Sequence, residues 1–206
     1  GVEAIPALAL LAGAKFEQSW TDLPAFDESV TWETIADQLE SPLHRAALMI
    51  AHARRHTGSG DLNRGAPSIA QSLAAVGVMI REDLCYPMPL LNESRHGDAR
   101  ELDDIDDESI SGIITSPPYL SRYDYARTND PIETVYRHWD GPSASSIRDS
   151  QVRANPRRRD GGESNGPLHP AAAEARDVLT VTGHRQQAQA VLDYFTDMRA
   201  VLAGAH

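Results

Sequence analysis

Apolar residues recur at helical spacing in four windows of the chain. Residues 6–18 are rich in Ala and Leu behind Pro6, which predicts a helix opening near that proline. Leu43, Ala46, Ala47, Ile50 and Ala51 lie three and four apart and predict an amphipathic helix from Leu43 to Arg55. Ile69, Leu73, Val76 and Ile80 predict another, begun at Pro67. Ala188, Val191, Leu192, Phe195, Met198 and Leu202 predict a helical stripe between His184 and Leu202. Two stretches have a different texture. Ile110, Ile113 and Ile114 form a β-branched run closed by Pro117 and Pro118, which predicts the end of a short buried strand. Proline has no N–H and a fixed φ, so the chain must leave that strand as a stiff, extended loop. Gly1 to Pro6 reads as the end of a second strand with Glu3 at its tip. Strands interleaved with helices predict an α/β protein, its sheet mostly parallel and flanked by helices.

At 206 residues the chain is long enough for one domain with a full core, and its 41% hydrophobic and 24% charged content is that of a soluble globular protein. The stretch 19–92 reads as a mainly helical insertion, with Trp20 and Trp32 covering a core edge. The stretch 141–170 is rich in Ser, Gly, Asn, Pro and Arg, has almost no apolar periodicity, and reads as a flexible insertion. The single Cys85 excludes an internal disulfide framework and a cysteine-based zinc site. His52 and His56 stand at i,i+4 without an accompanying carboxylate motif, so no metal site is expected. There is no signal-peptide pattern and no apolar run of membrane-spanning length, so a cytoplasmic location is expected. The net charge of −11 is unevenly spread: residues 1–110 carry 8 basic against 19 acidic side chains, and residues 111–206 carry 11 of each. Within 115–160 there are 8 arginines against 6 acids, so any field that favours nucleic acid lies after the isoleucine run.

That region holds the sharpest chemistry, Thr115-Ser116-Pro117-Pro118-Tyr119. The segment resembles the Ser/Asp/Asn-Pro-Pro-Tyr motif of the amino-methyltransferases, enzymes that use S-adenosyl-L-methionine (AdoMet) to methylate an exocyclic amine of cytosine or adenine in DNA. The amine's lone pair is delocalised into its ring, which makes it a poor nucleophile. Acceptors at the amine, by the resemblance the Ser116 side chain and the Pro117 carbonyl, favour the positively charging nitrogen of the transition state. The resemblance gives Pro118 the task of stiffening the loop and Tyr119 that of stacking on a base flipped from the duplex.

Other segments resemble the same family in the same order. Gly1-Val2-Glu3 is similar to its second AdoMet motif, which implies that Glu3 binds the ribose hydroxyls; Ile5 stands where the family has Asn. Gly97-Asp98-Ala99 is similar to the segment whose Asp meets the adenine amine, which implies that Asp98, with Ala99 and Thr115, completes the cofactor site. By itself Gly97-Asp98 is an ordinary turn pair. Arg122, Tyr123 and Arg127 could stack on bases and hold phosphates, or could open a helix that packs into the fold. Arg157, Arg158 and Arg159 could contact phosphates or belong to a solvated loop. The family's Gly-rich AdoMet loop is not found upstream, so the resemblance implies a partial Rossmann-like class I methyltransferase fold, truncated at both ends and inactive by itself. The function implied is AdoMet-dependent methylation of DNA, at cytosine N4 because Ser occupies position 116. Adenine N6 methylation, amino-methylation of RNA or tRNA, and non-catalytic binding of nucleic acid are the alternatives.

Overall fold

The computed structural model describes residues 2–3, 6–14, 20–57, 60–85, 94–102, 105–120, 128–140, 151–153 and 167–205, with backbone alone at 2, 3, 6 and 140. The chain divides into two units, one of residues 1–97 and 125–149, the other of residues 98–124 and 150–206.

The first unit is built on helix α3 (Pro42–Ala53), around which α1 (Pro6–Ala14), α2 (Trp32–Ala36), α4 (Ile69–Asp83) and α5 (Asp130–Asp140) pack. Leu43, Ala46, Ala47, Leu48, Met49 and Ala51 of α3 are buried against Ile35, Ile69, Leu73, Val76 and Val135. Each large aliphatic side chain so buried contributes about 1.5–3 kcal/mol. The alanines of α3 let neighbouring helices come close. Start signals are chemical: Pro42 occupies the first turn of α3, and Ser68 and Gln71 form a reciprocal capping box on α4. Gly77 of α4 is a close-approach position, where an added Cβ would lie 3.2 Å from the Trp20 ring. Polar groups tie α5 in place. The buried Glu133 carboxylate accepts the Ala7 N–H at 3.3 Å, satisfying a donor at the start of α1. Trp139 donates to the Ala36 carbonyl at 3.1 Å, and Arg45 lies over its ring at 5.1 Å.

The same unit holds the two strands found among the described residues, β1 (Val2–Glu3) and β2 (Arg95–His96). They pair in parallel, Val2 with Arg95 and Glu3 with His96. This two-residue ladder does not make the expected mostly parallel sheet flanked by helices. The partial Rossmann-like reading is therefore corrected: among the described residues the fold is mainly helical, with helices packed on helices. The expected buried strand ending at Ile114 is corrected as well. Residues 112–119 form no regular secondary structure, Ile110 and Ile113 are exposed, and Ile114 is fully so. A β-branched run becomes a strand only where neighbouring strands complete its ladder, and the adjoining prolines offer no N–H to begin one.

The second unit contains a helical hairpin, α6 (Pro170–Val181) and α7 (Arg185–Gly204). Gly183 turns the chain at φ +85°. The His184 N–H reaches the Leu179 carbonyl at 2.8 Å and the Gly183 N–H reaches that of Thr180 at 3.2 Å, the bonding of a Schellman cap. The apolar contacts of the hairpin are small, with Ala172, Ala188, Ala190 and Val191 buried. The stripe expected on α7 is buried at Ala188 and Val191 but not along its whole length. Phe195 and Leu202 are 38% and 64% exposed, whereas Asp193 and Asp197 are buried.

Candidate active site

Every described candidate after residue 97 belongs to the second unit. The loop Thr115-Ser116-Pro117-Pro118-Tyr119 runs without regular structure. Thr115 and Ser116 are exposed, Pro117 and Pro118 half-buried, and Tyr119 57% exposed. Two fixed φ angles in succession hold the run extended and set Ser116 and Tyr119 on either side of a stiff dipeptide. A hydroxyl and an aromatic face are thus accessible on one short loop.

Asp98 and Ala99 lie just after β2, where Asp98 begins a turn through Arg100. The Asp98 carboxylate is half-buried and heavily engaged. Its Oδ1 accepts the Arg100 backbone N–H and Nε at 2.9 Å each, and its Oδ2 accepts Nε at 3.1 Å and Nη2 at 2.5 Å. Burial pushes the Asp98 carboxyl up, but the hydrogen bonds and charge of Arg100 outweigh it and hold the group below the usual carboxylate range.

Arg100 continues the network to α7, donating from Nη1 to Asp197 Oδ2 at 3.2 Å. Asp197 is only 3% exposed and takes most of its support from Arg153, through the backbone N–H at 2.8 Å, Nε at 3.0 and 3.2 Å, and Nη2 at 2.6 Å. Arg153 also reaches Asp193 at 3.2 Å. Burial alone would raise the Asp197 carboxyl; the two guanidinium groups more than offset this and hold it low. Hydrogen bonding to Asp197 raises Arg153, and hydrogen bonding to Asp98 raises Arg100. None of Arg100, Arg153, Asp193 and Asp197 stands out in the sequence. The available signal was the i,i+4 pair Asp193 and Asp197, close beside the apolar stripe of α7.

Glu3 belongs to the first unit as the last residue of β1, paired through its backbone with His96; its side chain lies outside the described residues. Arg122, Tyr123, Arg127, Arg157, Arg158 and Arg159 lie outside them as well, as does most of the 141–170 stretch. Among the described residues no group of His, Cys, Asp and Glu could hold a metal ion. Likewise, no helix among them is long and apolar enough to cross a membrane. His52 and His56 do other work. His52 is buried and its Nδ1 donates to the Pro131 carbonyl at 2.9 Å, while the His56 Nδ1 donates to the His52 carbonyl at 2.8 Å.

Comparison with known proteins places a type II methyltransferase beside this chain. The protein is M.BsoBI of Geobacillus stearothermophilus, 33% identical over 97 residues. The match takes in 42% of this chain, which spans 18% of that relative's length. No protein-family model matches the chain, and no solved structure does.

Proposed function

We propose that the chain is part of an AdoMet-dependent DNA methyltransferase that methylates an exocyclic base amine, cytosine N4 in the first place. The observation that carries this reading is the accessible loop Ser116-Pro117-Pro118-Tyr119, on a chain similar to a type II methyltransferase. In this reading Tyr119 stacks on a base turned out of the duplex, and its 57% exposure leaves a ring face for that contact. The Ser116 hydroxyl and the Pro117 carbonyl accept hydrogen bonds from the amine and draw its lone pair out of the ring. AdoMet, when bound, supplies an electrophilic methyl group on a sulfonium. Ser116 and the Pro117 carbonyl would hold the base amine toward that methyl group, and the proton the amine loses on transfer would pass to water. Asp98 has the acceptor chemistry to take the adenine amine of the cofactor, with Ala99 and Thr115 beside it in this role and Glu3 for the ribose hydroxyls. Arg122, Tyr123, Arg127 and Arg157 to Arg159 supply phosphate and base contacts.

The test is tritiated methyl transfer from AdoMet with nucleoside analysis of the product. It is run on duplex DNA and on tRNA, with the chain as given and with any coding sequence that flanks it in its gene included. N4-methylcytosine in DNA is the expected product. N6-methyladenine would move the target to adenine, and product on tRNA alone would move the substrate to RNA. No transfer to any nucleic acid by either form would refute the enzymatic reading.

A further inference from the structure

The Asp98 carboxylate offers about four lone-pair positions, two on each oxygen. Arg100 engages both oxygens with three N–H groups: its backbone N–H meets Oδ1, Nη2 meets Oδ2, and the single Nε hydrogen is shared between them. An incoming amine therefore competes with the Arg100 guanidinium for the Asp98 carboxylate. The same guanidinium already touches a second carboxylate, Asp197, through Nη1 at 3.2 Å. Asp197 is also held by Arg153, through its backbone N–H, Nε and Nη2.

We infer that Arg100 is an internal latch on the cofactor site: it occupies Asp98 as a stand-in for the adenine amine and gives way when that amine binds, keeping its Nη1 bond to Asp197. The inference rests on the reading of Asp98 as the adenine acceptor. Arg100 then acts in opposition to binding. The apparent affinity for an adenine ring is the intrinsic affinity reduced by the fraction of molecules in which Asp98 is released. If about one molecule in ten has the released arrangement, removing the latch tightens binding about tenfold. A residue that merely positions Asp98 would have the opposite effect, because its loss would weaken binding.

Adenosine is the probe, since it carries the ring amine without the methionine part, and AdoMet is run beside it. Binding to the whole 206-residue chain is followed by NMR, with far-UV circular dichroism as the control on folding. Arg100→Ala, which leaves Asp197 with Arg153, should bind adenosine about tenfold more tightly than the parent. Arg100→Lys, which keeps a charge but loses the planar fork, should fall between the two. In the parent chain, adenosine should shift the Arg100 Nε signal. Asp98→Ala separates this idea from the reading beneath it. If Asp98→Ala abolishes binding while Arg100→Ala weakens it or leaves it unchanged, the latch is wrong and the Asp98 reading stands. If Asp98→Ala binds as the parent does, or no variant binds either probe, both are wrong.

Discussion

Replacing Asp197 by Asn tests whether the charge network holds the second unit together. The oxygen that survives in Asn can still accept from the Arg153 backbone N–H, from Nε and from Arg100. The 2.6 Å bond to Arg153 Nη2 is lost, and an NH2 group faces a guanidinium in its place. A hydrogen bond between charged groups is worth about 1.5–3 kcal/mol when buried. The arginines remain about a fifth exposed, at 20% and 23%, so water takes up part of the loss. The carboxylate's own burial cost is also relieved. These opposing effects leave a net loss of about 1–2 kcal/mol. Hydrogen exchange of the α7 amides reads this locally, as roughly 5- to 30-fold faster exchange, and urea unfolding reads it globally. Asp193→Asn is the internal control. Its carboxylate meets Arg153 once, at 3.2 Å, and Gln189 at 2.9 Å, so about 1 kcal/mol is expected. Asp197→Asn exchanging within threefold of the parent, or no faster than Asp193→Asn, would refute the network's role.

The two units should respond to acid at different pH. Burial, the largest influence, lowers the pKa of His52, beside Trp32, His56, Arg55 and Glu33 and opposed in part by its bond to Pro131. A base with a depressed folded pKa stabilises fully above its unfolded value, near 6.5, and loses that contribution as pH falls from there toward the folded value. Asp197 is held below 3.8, so its contribution persists until pH falls below that value. The three tryptophans, Trp20, Trp32 and Trp139, all belong to the first unit, so their fluorescence should change first, below about pH 6.5, while α7 amide protection holds to lower pH. Simultaneous transitions would contradict the assignment. Gly183→Ala forces a Cβ into φ +85° and should lower the stability of the α6–α7 hairpin by about 1 kcal/mol, measured by urea unfolding.

Helices of the first unit were legible because their apolar residues repeat at 3.6 spacing and their starts carry Pro42 or the Ser68-Gln71 box. The helix at Asp130–Asp140 was not, because its interior contact is carried partly by Glu133 and Trp139, whose burial depends on Ala7 and Ala36 far away in sequence. The sheet was over-read. Ile110, Ile113 and Ile114 have strand-like composition, but composition cannot supply the neighbouring strands that a ladder needs. The Ser-Pro-Pro-Tyr loop was legible as a stiff, polar, aromatic-tipped segment because proline acts locally. Asp98 is engaged by Arg100 only two residues away, whereas the link from Arg100 to Asp197 joins residues 97 positions apart and leaves no local pattern.

In the proposed function the Ser116–Tyr119 loop grips a base for methyl transfer. The most direct measurement is single-turnover transfer of tritiated methyl from AdoMet to duplex DNA, comparing Tyr119→Ala, Tyr119→Phe and Ser116→Ala in the chain expressed with any coding sequence that flanks it. Base–aromatic stacking is worth about 1–3 kcal/mol, so Tyr119→Ala should lose roughly five- to 150-fold in transfer while Tyr119→Phe, which keeps the ring face, retains most of it. Ser116→Ala should slow the chemical step with DNA affinity unchanged. Equal transfer by Tyr119→Ala and the parent would contradict the account.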